Sequence, residues 1–216
     1  GHPIGLSICF LTEMWERFSY YGMRAILILY LTKYHLFGVD KASMIYGAYA
    51  GLVYMMPIVG GYLADRYLGS RKAVTYGAIL LVLGHGLMAF HGPAAYMDGE
   101  NIIRDDFFIN VFFLALALII GGVGFLKANI SRVVGALYGP NDPRRDGGFS
   151  IFYMGINLGA LLAMIVVGYV GEVHGWNYGF SIAGIGMLFG LLVFLWGQKY
   201  LDGRAEPPRP EILREK

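Results

Sequence analysis

The chain has 216 residues, of which 56% are hydrophobic and 15% are charged, and its formal net charge at pH 7 is +2. Soluble domains carry about 25% charged residues, so this composition indicates a membrane protein. The net charge is too small, and the basic residues too confined to loops, for a nucleic-acid-binding protein. The single cysteine, Cys9, excludes an intrachain disulfide and leaves zinc and iron–sulfur sites without their usual ligands.

Six segments are predicted to cross a bilayer as helices, for which about 20 residues are needed. The first, residues 4–32, is apolar apart from Glu13, Glu16, Arg17 and Arg24. A helix that stopped at one of these residues would leave unpaired backbone groups in lipid, so we expect it to continue. The other five segments contain no Asp, Glu, Lys or Arg and cover residues 42–64, 73–97, 107–126, 147–171 and 175–198.

Lys and Arg are concentrated on one side of these predicted helices. By the positive-inside rule that side is cytoplasmic, which places both ends of the chain in the cytoplasm. The opposite side has only Lys33, Lys41 and Arg104. The cytoplasmic group consists of Arg66, Arg71, Lys72, Arg132, Arg144, Arg145, Lys199, Arg204, Arg209, Arg214 and Lys216.

The predicted organisation is one transmembrane bundle followed by a short tail. Residues 1–200 form the bundle. Residues 201–216 are charged and rich in proline, which is typical of a cytoplasmic linker. No folded tail follows the linker, so we expect it to lead to a second bundle that is missing from this chain.

A weak internal similarity suggests a repeat within the bundle. Residues 45–65 align with residues 152–172, so that the second and fifth segments correspond with opposite topology, as in a three-plus-three inverted repeat. Small residues spaced four apart also allow helices to approach closely. Such pairs are Gly47 with Gly51 and Gly155 with Gly159.

The polar residues of the first segment share one face of the predicted helix. At 100° per residue they lie within about 100° of arc, which gives a polar stripe over several turns. Ionised groups at membrane depth are costly, so we expect them to pair or to face a wet cavity. Lys127 in the fourth segment belongs with them, and the ionisable groups together leave one positive charge that an anionic substrate group would balance. The stripe consists of Glu13, Glu16, Arg17, Tyr20 and Arg24.

Two interpretations of these charges are open at this point. They form either a pathway for ions or a polar solute, or a structural ion-pair cluster; the pathway is favoured because apolar residues often pack as stably as buried ion pairs. His85 and His91 are candidates for proton handling, although such histidines are more often satisfied core residues. Asn129 and Asn157 either hydrogen-bond neighbouring helices or bind a substrate.

The chain lacks the motifs of several enzyme classes. No HExxH, GxSxG, Walker lysine loop or GxGxxG after a strand is present. We therefore predict a protein that is not an enzyme and holds no metal or cofactor. The lack of an ATPase motif argues against a primary pump, so a transported solute would draw its energy from a gradient.

Four motifs resemble those of a known family and its superfamily. The run EMWERFSYYGMR at residues 13–24 resembles the first-helix signature of proton-coupled oligopeptide transporters, the peptide-transporter branch of the major facilitator superfamily. FLKANIS at residues 125–131 is similar to the family's fourth-helix segment, and FSIFYMGINLGA at residues 149–160 is similar to its fifth-helix signature. GYLADRYLGSRK at residues 61–72 is similar to the superfamily motif between helices 2 and 3.

The resemblance implies a fold and a function. The fold is an all-α membrane protein, the amino-terminal six-helix bundle of a major facilitator transporter with its three-plus-three inverted repeat. The function is symport of di- and tripeptides into the cell with protons by alternating access. Ala128 stands where many members have Pro, and Gly47 aligns with a histidine of animal members, which indicates a bacterial protein of the inner membrane.

The resemblance also implies roles for individual residues. Glu13 is expected to be the principal proton site, with Glu16 and Arg17 tuning it and Lys127 completing the proton-coupling set. A peptide carboxylate would suit Arg24 and Lys127, since Arg can bind both of its oxygens. The expected substrate-binding set is Arg17, Tyr20, Tyr21, Arg24, Tyr54, Lys127, Asn129 and Asn157, and the expected cytoplasmic charge latch is Gly61, Asp65, Arg66, Gly69, Arg71 and Lys72.

Two other functions are weighed against peptide transport. A carrier of nitrate or another small anion would keep the fold, and the excess positive charge would suit it. A membrane sensor or scaffold that transports nothing would keep the charges as structural groups. Uptake of dipeptide against nitrate separates the two carriers, and a Lys127 variant with altered stability but unchanged transport would indicate the scaffold.

Overall fold

The computed structural model describes residues 1–90, 92–201, 203, 205 and 206. This part of the chain contains six α-helices and one short β-hairpin, whereas His91 and most of the predicted linker lie outside it. The elements are α1 (Ile4–Leu29), α2 (Val39–Leu63), α3 (Ser70–Ala89), β1 (Tyr96–Asp98), β2 (Asn101–Ile103), α4 (Asp106–Ala136), α5 (Arg145–Val173) and α6 (Trp176–Gly197). π-Helical turns extend α1 through Tyr30–Tyr34 and α2 through Ala64–Leu68, and a 3-10 turn, Gln198–Leu201, follows α6.

The helices match the predicted membrane-crossing segments. Among the described residues, five helices, α2 to α6, are long and apolar enough to span a membrane. Helix α1 is 26 residues long and continues past its charged residues as predicted. It can do so because Glu13, Glu16 and Arg17 are buried inside the bundle and do not face lipid.

Two predicted segment ends differ from the structure. The third segment was expected to reach residue 97, but α3 ends at Ala89 and residues 96–103 form the β1–β2 hairpin. The reason is Pro93, which lacks a backbone N–H and disfavours helical geometry in the residue before it. The fourth segment was expected to end at residue 126, but α4 runs on to Ala136, because a charge near a helix end interrupts the hydropathy pattern without interrupting the helix.

The helices pack in a pattern with internal symmetry. The main pairs are α1–α5, α1–α6, α2–α4, α3–α4 and α3–α6. Exchanging α1 with α4, α2 with α5 and α3 with α6 turns this set of pairs into itself. The packing therefore follows the predicted three-plus-three inverted repeat.

Glycines lie where the helices approach most closely. Of the two glycine pairs predicted to allow such an approach, Gly155 with Gly159 does so and Gly47 with Gly51 does not. A Cβ at Gly159 would lie 2.2 Å from the Met14 carbonyl oxygen of α1, so only glycine fits there. Gly47 and Gly51 have open space around them among the described residues, so the prediction of a close approach there is wrong. Helix α2 makes its close contact nearer its C-terminal end, where a Cβ at Gly60 would lie 2.2 Å from the Gly124 carbonyl oxygen of α4.

We predict that Gly60→Ala destabilises the bundle because the added methyl group has to push two backbones apart. The expected cost is about 1–3 kcal/mol, the usual range for overpacking. Gly47→Ala on the same helix is the matched control and should be neutral or slightly stabilising, since alanine favours helix and has room there. Thermal unfolding of the purified protein in detergent compares them, and equal stability of the two variants would contradict the account.

Candidate functional site

The centre of the candidate site is a buried group of three charges on α1. The side chains of Glu13, Glu16 and Arg17 are each no more than 3% exposed. Arg17 Nε lies 3.0 Å from Glu13 Oε1, and the same nitrogen also forms an ion pair with Glu16 Oε2. One guanidinium therefore holds two carboxylates, and we call this group the ion triad.

Helix α5 encloses the ion triad by passing unusually close to α1. Gly155 would place a Cβ 3.0 Å from the Phe10 carbonyl oxygen, and Gly159 would place one 3.1 Å from Arg17 Cβ. The fifth-helix signature at residues 149–160 thus has a direct physical reason. Its glycines let α5 lie against the charged segment of α1 and exclude lipid from it.

The ion triad is not electrically balanced by itself, because two carboxylates face one guanidinium. Several of its polar atoms, Glu13 Oε2, Glu16 Oε1 and Arg17 Nη2, are buried without a hydrogen-bond partner among the described residues. Lys127 on α4 is half-buried and close enough to Glu16 for their charges to interact. It makes no ion pair with the described residues, so it is the cation available to the second carboxylate.

The aromatic side chain of Tyr54 lies near two cations, Lys127 of α4 and Arg24 of α1. Lys127 Nζ lies 5.1 Å from the ring centroid of Tyr54 on α2, which is a cation–π contact. Tyr54 is exposed and also lies near Arg24. The three side chains therefore belong to one open, basic surface beside the ion triad.

Arg24 lines a cavity of about 600 Å³ between α1, α2 and α5. Its Nε donates a hydrogen bond to the Tyr46 hydroxyl, and its guanidinium lies 5.5 Å from the centroid of that ring. Sequence reasoning missed Tyr46 as a site residue, because no charge or spacing distinguishes it from the other tyrosines. The cavity is lined by Tyr21, Arg24, Ala25, Ile28, Ser43, Tyr46 and Met164.

The two neighbouring tyrosines of α1 have different surroundings. Tyr20 is buried, with the Arg17 guanidinium 5.4 Å from its ring centroid and the ring of Tyr49 stacked at 6.4 Å. Tyr21 lies at the cavity and contacts Tyr20 edge to face. Tyr20 thus packs on the ion triad, whereas Tyr21 is available to a bound molecule.

The two asparagines also differ. Asn129 is fully buried, and its amide donates to the carbonyl oxygens of Phe125 at 2.7 Å and Gly60 at 3.3 Å, while its Oδ1 accepts from Ser70 Oγ at 3.2 Å. These bonds join α4 to α2 and α3, so Asn129 acts as a structural link and its expected place among the substrate ligands is not supported. Asn157 is exposed on α5 and, among the described residues, donates only to Tyr153 O of its own helix.

The predicted cytoplasmic latch is assembled differently from the sequence expectation. Its four charged residues were expected to form one latch. Among the described residues they do not pair with one another, and three of them bind other residues instead. Asp65 forms an ion pair with Arg132 of α4, and Arg66 donates to the Tyr62 hydroxyl at 2.6 Å. Arg71 binds Glu206 at 2.6 Å and Gln198 at 2.5 Å, and Lys72 makes no ion pair within the described ranges.

The two glycines of the predicted latch have structural reasons for being glycine: Gly69 has a φ of +74°, and Gly61 packs near Ala128 and Arg132.

The loop between α4 and α5 carries a second charged contact at the same end of the bundle. Arg144 donates from its guanidinium to both carboxylate oxygens of Asp142, at 2.9 and 2.7 Å. These hydrogen bonds lower the pKa of Asp142 to about 2. Arg144 is exposed and Asp142 is half-buried, so the contact orders the loop and adds little to stability.

The structure gives no support to the predicted histidine role. His85 is fully buried in α3, with neither ring nitrogen hydrogen-bonded among the described residues. Its Cβ packs 3.5 Å from the position of a Cβ on Gly184 of α6, away from the ion triad on α1.

Comparisons with known proteins place these features in a family. The family model described as PTR2, the POT family, matches residues 71–215. The chain is 47% identical over 221 residues to the uncharacterized transporter YclF of Bacillus subtilis (strain 168), covering 100% of the chain and 42% of the relative. It is 45% identical over 227 residues to the di-/tripeptide transporter of Lactococcus lactis subsp. cremoris, again covering 100% of the chain and 42% of the relative.

Solved structures give the same result. The crystal structure of peptide transporter POT in complex with sulfate matches with a TM-score of 0.86 and 43% identity, over 100% of this chain and 43% of that one. A POT family transporter in complex with a thioalcohol-conjugated peptide matches with a TM-score of 0.82 and 37% identity over the same shares. The chain thus spans about two fifths of the length of the relatives that it matches.

We predict that Arg17→Met strongly destabilises the protein, because it leaves two carboxylates buried without their shared cation. Removing one partner of a buried ion pair costs about 3–5 kcal/mol. The triple variant Glu13→Gln/Glu16→Gln/Arg17→Met, which neutralises all three groups at similar volume, should recover most of this loss.

Thermal unfolding in detergent measures these differences. Arg66→Met, at an exposed position of the same residue type, is the control and should unfold like the wild type. A single Arg17 variant as stable as the triple variant would show that the guanidinium does not hold the carboxylates.

Proposed function

The chain belongs to the POT family, and from this premise we propose that it is the amino-terminal bundle of a carrier that takes up di- and tripeptides together with protons. The observation that carries the proposal is the unbalanced ion triad with two further cations nearby: Lys127, whose charge acts on Glu16, and Arg24, which lines an open cavity. A relative of 45% identity is named a di-/tripeptide transporter. The excess of cations, the open cavity and the named relative therefore all favour a short peptide with a free carboxylate as the substrate.

In this proposal the peptide is recognised through its termini and backbone. Its carboxylate is held by Lys127, which lies over the ring of Tyr54, and by Arg24, which lies near the same tyrosine. Tyr21 and Asn157 offer further hydrogen-bonding groups that are exposed or lie at the cavity. Aromatic and amide groups accept many side chains, so selectivity for one peptide side chain is expected to be low.

Arg17 and Tyr20 are then indirect members of the site. Both are buried in the ion triad and its aromatic cover, so they position the charges that a peptide meets. This placement revises their proposed part in substrate binding from direct contact to support.

Proton coupling follows from a competition for cations. Without peptide, the charge of Lys127 acts on Glu16, and Arg17 is shared by both carboxylates. A peptide carboxylate that takes Lys127 leaves one negative charge of the ion triad uncompensated in a buried place. A proton then neutralises it, since an uncompensated buried carboxylate is costly. Arg17, which both carboxylates share, then compensates Glu16 in place of Lys127, and Glu13 is left to take the proton, which is the proton site that the family resemblance implies.

The cytoplasmic contacts are proposed to close the inner end of the bundle. Asp65 with Arg132 joins the end of α2 to α4, and Arg71 joins the start of α3 to residues that follow α6. The Asp65–Arg132 pair is exposed, so breaking and remaking it costs little, which suits a gate that opens in each transport cycle. We place this end in the cytoplasm of a bacterial cell, on the basis of its excess of Lys and Arg.

The substrate assignment predicts a selective effect of Lys127→Ala in the full-length carrier. Loss of one cation from a buried charge contact weakens binding by about 2–5 kcal/mol. We expect this loss for a dipeptide with a free carboxylate, and a much smaller loss for the same peptide amidated at its C-terminus, which already binds the wild type poorly. Lys33→Ala is the control, because Lys33 is exposed and remote from the cavity lining.

Uptake of labelled dipeptide into proteoliposomes, with and without an inward proton gradient, provides the measurement. Equal losses for the acid and the amide would remove Lys127 from the carboxylate site. Nitrate uptake without dipeptide uptake would overturn the peptide assignment itself.

The coupling mechanism predicts that Glu13→Gln separates two activities. Glutamine mimics the protonated acid and cannot release the proton, so gradient-driven uptake should be lost while exchange of peptide between equal concentrations continues. Glu172→Gln, at the exposed end of α5, is the matched control and should retain both.

Both activities are measured in the same proteoliposomes. Loss of both in Glu13→Gln would indicate a folding or binding role for this residue. Retained gradient-driven uptake would place the proton on another group.

A further inference from the structure

A basic pocket lies at the hairpin end of the bundle, away from the ion triad. The side chains of Lys41 and Arg104 both lie over the ring of Phe37, with Nζ and Cζ at 5.1 and 4.4 Å from its centroid. Two cations are thus held against one nearly buried ring. The pocket has a volume of about 360 Å³ and is lined by Phe37, Lys41, Ile102, Ile103, Arg104, Asp106, Ile109 and Phe113.

The orientation of Arg104 is fixed by the backbone of the α1–α2 loop. Its Nε donates to His35 O at 2.6 Å and its Nη2 donates to Leu36 O at 2.8 Å. These bonds leave Nη1 without a hydrogen-bond partner among the described residues. Asp106 is the one carboxylate in the lining, so two cations face a single negative charge and the pocket favours an anion.

An apolar groove between α2 and α4 continues from this pocket. The two share Phe113, and the groove has a volume of about 250 Å³. Along α2 the joined lining runs from Lys41 to Leu52, a rise of about 16 Å at 1.5 Å per residue, of which the apolar part from Ile45 to Leu52 is about 10 Å and receives the first part of an acyl chain. The groove is lined by Ile45, Ala48, Tyr49, Leu52, Phe113, Leu116, Ala117 and Ile120.

We propose that this pocket and groove together bind an anionic phospholipid, with the phosphate between Lys41 and Arg104 and one acyl chain between α2 and α4. The joined lining has a cationic end and an apolar end, which is the complement of such a lipid. A free anion would use only the pocket, and an uncharged lipid only the groove. Exposed Ile102, Ile103 and Phe113 at the junction place it where a bilayer meets water.

The test is native mass spectrometry of the full-length protein with added dioleoylphosphatidylglycerol or dioleoylphosphatidylcholine. The wild type should bind the anionic lipid more tightly. Lys41→Gln should weaken that binding about fivefold, the factor expected for one basic residue at an anionic head group, without changing the binding of the zwitterionic lipid. Ala117→Phe, which fills the groove, should weaken binding of the anionic lipid by a similar factor.

Matched controls separate this site from general lipid contact. Lys33→Gln removes an exposed charge at the same end of the bundle, and Leu114→Phe adds the same ring at an exposed position one turn away on α4. Both should bind the anionic lipid as the wild type does.

Three results would overturn the proposal. They are equal losses in Lys41→Gln and Lys33→Gln, equal binding of the two lipids by the wild type, and displacement of the anionic lipid by glycerol 3-phosphate, which has the phosphate but no acyl chain. The measurement does not involve transport, so its outcome is independent of the function proposed above.

Discussion

The interaction on which the structure depends is the contact of one guanidinium, that of Arg17, with two carboxylates inside the bundle. A charged group of this kind cannot face lipid, so α1 has to be enclosed by other helices. Glycines perform this task from two sides: Gly159 of α5 meets the backbone of Met14, and Gly190 of α6 would place a Cβ 3.1 Å from Trp15 Cβ. The packing of α5 and α6 is thereby tied to the charges of α1.

In the proposed function the same charges take part in substrate binding and are not only structural. Two carboxylates that share one cation leave a net negative charge, and Lys127 on a different helix is close enough to Glu16 to compensate it. Because α1 and α4 correspond in the inverted repeat, the second cation comes from the symmetry-related helix. A peptide carboxylate or a proton alters this balance, which links substrate binding to protonation in the proposed cycle.

Much of the fold could be predicted from the sequence, because the absence of charges over 20 residues and the polar stripe of α1 are strong signals. The β-hairpin was missed, because residues 73–97 contain no Asp, Glu, Lys or Arg and so continue the apolar pattern of α3 past Pro93, where the helix has already ended. The pairing of Asp65 with Arg132 and the bonds of Asn129 to Gly60 and Ser70 join residues more than 50 positions apart, which local patterns do not report. Gly47 and Gly60 are indistinguishable in sequence, and only the path of α4 decides which of them it meets.

The central claim is that peptide binding changes the charge balance of the ion triad, and proton uptake on binding tests it most directly. Purified full-length protein in weakly buffered detergent near pH 7 is mixed with a dipeptide, and a pH indicator reports the protons taken up. The account predicts net proton uptake by the wild type and none by a variant in which both carboxylates of the ion triad are glutamine. Binding of the dipeptide by the wild type without proton uptake would contradict it.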